Sequence, residues 1–420
     1  MRVVGTKRTA SPYNLFCLFI TGGYKINIDM NDRIKDKLNK NLDAISVFVF
    51  MLCVFSYIMF VIKEESDLLA HANIAKDMLV EHRLFTTNFL MYFLVNLFTL
   101  FSGSDVPMRI ALVSLISLAN TAKYVIVREA FKEWTTEHVA KLSSVALLFV
   151  YVVPLMYFLK PFGIFLSAQN MYLGYYVPNV WHNSTILCMM PFAIACYMLS
   201  VKQFSEYSEK RNWLITILLT ISVLVKPSFF FVYSCAFPII MLSKYGFNKE
   251  LFRSLIPLLF GGLCLAYEYL TIYYNGGNDN SSVVIDIVQL FTLDFWKAHI
   301  LYLAVSLSLP ILFISLYWRS IIHDREFWFV LIMIVIGIGM MWCCKETGPR
   351  ATHGNFNWQA IAAMWFVYFY ILKKALSNNE EYPYFNRGGY SQYIIISAFS
   401  IHVVMGMVYL VKFIVTSNFG

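Results

Sequence analysis

The sequence predicts an all-α polytopic membrane protein, with about eleven transmembrane helices and interfacial helices in the first outer loop. Three observations carry this expectation. Hydrophobic residues make up 59% of the chain and charged residues 14%, against about 45–50% and about 25% in soluble domains. The apolar residues gather into runs that approach the ~20 residues needed to cross a bilayer as helix. Lys and Arg gather in alternate loops, as the positive-inside rule requires.

The same figures exclude other classes. Mean hydropathy is +0.61, which rules out an ordinary soluble enzyme and a disordered chain. The net charge of +8 reads as an orientation signal in a membrane protein, so no nucleic-acid partner is expected. Eight cysteines are present; none forms a CxxC pair, and most sit in apolar runs as small core residues.

Residues 1–43 read as a cytoplasmic N-terminal arm, and 44–420 as a single transmembrane domain. The apolar patch at 15–20 is too short to span and lacks a small-residue cleavage site. Met30 opens a basic lead, MNDRIKDKLNKN, so residues 1–29 are expected to be an upstream extension. Spans are expected near 44–62, 106–127, 140–159, 184–200, 213–225, 229–242, 254–274, 298–318, 327–343, 358–372 and 393–413. Lys226-Pro227-Ser228 joins two short ones and predicts a tight turn at or within the membrane face.

The apolar segment 89–101 is too short to span and suits an interfacial helix. If it crossed, the basic loops 201–212, 243–253 and 373–392 would face outward, against the charge rule. As an interfacial helix it leaves the N-terminus cytoplasmic. It also puts four polar loops, 63–105, 160–183, 275–297 and 344–357, on one outer face.

Those loops hold the candidate chemistry. Asp67, His71, Ala75 and Met78 share one helical face. A carboxylate there, one turn from a histidine, is suited to general-base work on a hydroxyl, or else to complementing the helix N-terminus. Asn179, Trp181, His182 and Asn183 combine aromatic faces and amides, the groups that hold sugars, and also suit an interfacial aromatic belt. Asn183-Ser184-Thr185 matches an N-glycosylation sequon. Lys345, Arg350 and His353 form a basic cluster on the outer side, with Asn355 and Gln359 nearby. Such a cluster fits an anionic headgroup or bulk lipid phosphate. Lys226 joins them as an intramembrane lysine, and Glu268 stands inside an apolar span. His71, His82, Asp67 and His182 match no metal-ligand spacing, so no metal or other cofactor is expected.

At residues 44–127 the chain resembles the GT-C superfamily of membrane glycosyltransferases. Their acidic motif after the first span reads D-E-x-x-Y-x-x-x-A-x-x-M, and Asp67, His71, Ala75 and Met78 fall at that spacing. Segment 89–101, then Gly103-Ser104-Asp105 and Arg109, is similar to the juxtamembrane helix and next span of that family. Leu68 replaces its second acidic residue.

The resemblance implies sugar transfer from a polyprenyl-phosphate-linked donor to a glycan or lipid-linked glycan acceptor. The reaction would take place on the outer face of a bacterial inner membrane, in O-antigen or capsule biosynthesis. Asp67 and His71 are then the catalytic pair. Lys226, Lys345, Arg350 and His353 neutralise the donor phosphate. Asn179, Trp181, His182, Asn183, Asn355 and Gln359 shape the sugar and acceptor pocket. A lipid donor also accounts for the short cytoplasmic segments, which leave no room for a nucleotide-sugar domain. A repeat-unit polymerase shares this chemistry. A lipid-linked oligosaccharide flippase is the alternative of a different class; it expects internal repeats and polar broken helices at the midplane, and the polar residues gather in the outer loops instead.

Overall fold

Helices carry nearly all of the described chain. The computed structural model describes residues 41–62, 66–82, 88–153, 176–271, 282–348, 354–377 and 389–417. The chain divides into a unit Met1–Ser46 and a unit Val47–Gly420. Of the first unit, residues 41–46 are described, and they open the first helix. The second unit holds every other described element.

Helix α1 (Leu42–Tyr57) runs on into a π-helical turn, Ile58–Ile62. Two short helices follow, α2 (Asp67–Val80) and α3 (Leu90–Phe98). Ser66 caps α2 by accepting from the Leu68 N–H at 3.1 Å. The nine residues of α3 extend about 14 Å, too little to cross a bilayer. Its Asn96 Nδ2 donates to the Ala75 carbonyl at 2.9 Å and so fixes α3 to α2.

The remaining helices are α4 (Asp105–Phe131), α5 (Glu137–Phe149), α6 (Ser184–Ser205), α7 (Glu209–Val225), α8 (Ser228–Tyr245), α9 (Lys249–Ser254) and α10 (Ile256–Tyr269). A short strand β1 (Val283–Ile285) precedes α11 (Leu293–Ser306), α12 (Ser308–Ile321) and α13 (Arg325–Cys343). Strand β2 (Cys344–Glu346) then leads to α14 (Trp358–Leu376) and α15 (Tyr390–Thr416).

Among the described residues, seven helices are long and apolar enough to cross a membrane, or eight if the pair α11–α12, bent by 62°, forms one span. The sequence predicts about eleven. The other three expected spans correspond to α5, α7 and α14. Of these, α5 has 13 residues and α7 has 17, shorter than the ~20 of a full crossing. Helix α14 is long enough, but its Tyr and Trp residues and its Lys373-Lys374 end lower its hydropathy.

Helix α14 is the centre of the second unit. Every residue from Trp358 to Ala375 is buried, as expected of a helix packed on all sides. Gly337 of α13 makes that packing possible: a Cβ there would lie 2.9 Å from the Ala360 Cα. Gly406 plays the same part where α15 meets the end of α5, since a Cβ would overlap the Phe149 carbonyl. There the Tyr151 N–H donates to the His402 carbonyl at 3.1 Å.

The loops expected to share one side do share one end. Lys202 pairs with Glu133 at 3.0 Å and Arg253 with Glu209 at 3.0 Å. Asn212 Nδ2 donates to the Arg253 carbonyl at 2.8 Å, and Lys373 lies 4.4 Å from the Trp134 ring centre. At this end Lys373 pairs with Glu326 at 2.6 Å and Lys374 with Asp324 at 2.7 Å, all four residues buried.

Candidate active site

The opposite end of α14 borders a cavity of about 910 Å³. Its wall is largely apolar, with Ile74, Phe231, Leu265, Ala266, Met340 and Phe356. Its polar groups come from distant parts of the sequence: His71, Tyr92, Thr185, Lys226, Ser228, Glu268, Glu346, Asn355 and Gln359. Apolar walls with a few convergent polar groups are the usual form of a small-molecule site.

Three helices begin at this cavity. Thr185 is in the first turn of α6, Ser228 opens α8, and Gln359 is in the first turn of α14. Asn183 caps α6, its Oδ1 accepting from the Ile186 N–H at 3.1 Å. Neither α8 nor α14 has a side-chain cap. A helix N-terminus carries partial positive charge and first-turn N–H groups, which favour an anion.

Lys226 is the turn between α7 and α8, where Pro227 ends one helix and leads into the next. It is buried, 8% exposed. Its Nζ donates to Thr185 Oγ1 at 3.1 Å and lies 5.1 Å from the centre of the Trp358 ring. Burial lowers its pKa to about 8, while Asp67, Glu268 and Glu346 oppose that shift.

His71 stands half-buried at the cavity wall, with Nδ1 2.6 Å from the Tyr92 hydroxyl. The apolar surroundings bring its pKa down to about 4; Lys226 and His182 add to this and Asp67 opposes it. His182 is 7% exposed, packs against Trp358 with ring centres 5.8 Å apart, and is likewise lowered to about 4 by burial. Both histidines are therefore neutral near pH 7.

Asp67 is not among the residues lining the cavity. It accepts from Asn183 Nδ2 at 3.1 Å, which ties α2 to the start of α6. Asn183 is 4% exposed. Its amide is thus committed to the cap and to Asp67, a burial that leaves the sequon no room to carry a glycan.

The other expected residues divide clearly. Asn355 and Gln359 line the cavity, and in its better orientation the Gln359 amide donates to the Asn355 and Phe356 carbonyls. Asn179 and Trp181 are not lining residues. Asn179 accepts from Lys123 at 2.8 Å and donates to the Leu147 and Val150 carbonyls, closing the end of α5. Trp181 is 2% exposed and packs against Phe55 and Phe149. Arg350 and His353 lie outside the described residues.

Lys345 sits on the wrong face of a small ribbon for cavity binding. Strands β1 and β2 pair antiparallel, with Val283 opposite Glu346 and Val284 opposite Lys345. Successive strand residues face opposite sides. Val283, Ile285, Cys344 and Glu346 line the cavity; Lys345 lies between the last two and pairs with exposed Asp286 at 3.0 Å. Sequence reasoning missed Tyr92, Thr185 and Glu346. For Glu346 the available signal was this alternation, hidden in a strand of three residues.

Among the described residues, no three His, Cys, Asp or Glu side chains are grouped to hold a metal ion. Compared with known proteins, the chain matches no family model, no curated protein and no solved structure.

Proposed function

We propose that this membrane protein transfers a sugar from a polyprenyl-phosphate-linked donor to a glycan or lipid-linked glycan on the outer face of a bacterial inner membrane. The observation that carries the reading is Lys226, a buried cation on a cavity where three helices begin. That arrangement suits an anionic group, and the apolar wall suits the lipid chain attached to it.

In this reading the donor phosphate lies against Lys226, Ser228 and the uncapped start of α8. As the bond from the sugar to the phosphate oxygen breaks, negative charge grows on that oxygen. A fixed ammonium and helix dipoles in a water-poor site stabilise that charge more than bulk water does. His71, neutral and oriented by Tyr92, supplies a ring N–H to the same region. Asn355 and Gln359 serve the sugar or acceptor hydroxyls. Asp67 holds Asn183 and faces Lys226 with compensating charge.

The test is chemical. Surface polysaccharide from cells with and without the chain is hydrolysed and its sugars and linkages compared. We expect one sugar residue or linkage to vanish without the chain and to return with it. An unchanged composition contradicts the reading. So does a purified protein that moves labelled lipid-linked oligosaccharide across vesicles while forming no glycosidic bond.

A further inference from the structure

We infer that Glu346 is the general base that takes the proton from the acceptor hydroxyl; the assignment rests on the glycosyl-transfer reading above. The resemblance points to Asp67, but Asp67 does not line the cavity. Among the described residues, the carboxylates that line it are Glu268 and Glu346. A general base has to be held within hydrogen-bond reach of the proton it removes.

Glu346 meets the requirement for fixed placement. It follows α13 directly, on β2, and the ribbon register turns its side chain to the cavity together with Val283, Ile285 and Cys344. It is 9% exposed, and Asn355 Nδ2 donates to its Oε2 at 2.5 Å. Asn355 thereby becomes a positioning residue for the carboxylate. Glu268 stands in the last turn of α10, in the span Lys249–Tyr269, which is 22% buried inside the protein, the lowest share of the seven. Its side chain is the less buried of the two.

The step balances. The acceptor O–H bond breaks and its proton passes to the Glu346 carboxylate. The acceptor oxygen forms the new bond to the anomeric carbon. The bond from that carbon to the donor phosphate breaks, and its electron pair leaves on the phosphate oxygen beside Lys226. No oxidant or reductant is needed.

The experiment uses membranes from cells producing the full-length chain, with their own lipid-linked donors and acceptors, and follows sugar transfer at matched protein levels. We expect Glu346→Gln to slow transfer by about 10²–10⁴-fold while thermal unfolding stays at the wild-type temperature. We expect Glu346→Ala to recover at least tenfold with added formate. Transfer by Glu346→Gln within threefold of wild type overturns the assignment. So does formate rescue of Asp67→Ala but not of Glu346→Ala. If wild-type membranes transfer no sugar, the functional reading itself falls, and this assignment with it.

Discussion

Both ends of α14 hold buried lysines against tryptophan rings, yet the two ends are built for different purposes. At one end Lys373 and Lys374 each meet a carboxylate at 2.6–2.7 Å. Tyr197 and Tyr370 donate to Glu326 and Asp324 at 3.0 and 2.9 Å. At the other end Lys226 hydrogen-bonds a neutral hydroxyl, Thr185, and lines a cavity of about 910 Å³. The first cluster spends its charges on itself and fixes the fold. The second keeps a cation beside a cavity, at a cost in desolvation that burial of Lys226 makes plain. A buried cation whose hydrogen bond is to a neutral hydroxyl, beside a cavity, is where a ligand is to be sought.

The largest effect should come from breaking the closed cluster. Glu326→Gln leaves two buried lysines with one carboxylate, and loss of one partner from a buried pair costs about 3–5 kcal/mol. We expect a large drop in unfolding temperature in detergent, with unchanged activity per folded molecule. Equal stability of the variant would make the two ends alike and break the comparison.

Next is Lys226→Met. Loss of one donor to a developing oxyanion costs about 10²–10³-fold in rate, so sugar transfer should fall by that factor. The unfolding temperature should stay near the wild-type value, because a desolvated cation is replaced by a similar apolar chain. A variant that unfolds early and transfers normally would assign Lys226 to structure.

A smaller effect is expected from pH. His71 and His182 hold pKa values of about 4 in the folded protein, against 6.5 unfolded. The unfolded chain therefore binds protons first as the medium turns acidic. The stability linked to these groups is complete above about pH 6.5 and is lost as pH falls towards 4. Thermal unfolding measured from pH 7 to 4 should show the decline, and His182→Gln should reduce it. The smallest effect belongs to Lys345→Ala. An exposed pair such as Lys345–Asp286 contributes about 0.2–1 kcal/mol, and transfer should stay within twofold of wild type in the same membrane assay.

Much of the arrangement is legible in the sequence. Charge distribution assigns 89–101 to a non-crossing helix, and α3 is too short to cross. It also groups the loops that meet at each end of α14. His71, Lys226, Asn355 and Gln359 stand out by residue type and side, and the fold brings them to one cavity.

What is not legible has physical causes. Tyr92 lies in an aromatic-rich apolar helix, where nothing local marks its hydroxyl as the one that meets His71. Asn179 and Trp181 look like sugar ligands in composition, but tertiary packing turns them to Lys123 and to Phe55 and Phe149. Lys345 and Glu346 are neighbours, and only the strand's two-residue period separates the outward cation from the inward carboxylate. The number of full crossings is also out of reach, because α5 and α7 are shorter than the apolar stretches around them suggest.

We read the Lys226 end of α14 as an anionic-lipid site. The most direct test is binding of decaprenyl phosphate to the purified full-length protein, followed by native mass spectrometry for wild type, Lys226→Met and Lys345→Ala. We expect Lys226→Met to weaken binding at least tenfold and Lys345→Ala to leave it unchanged. Equal binding by wild type and Lys226→Met would contradict that reading.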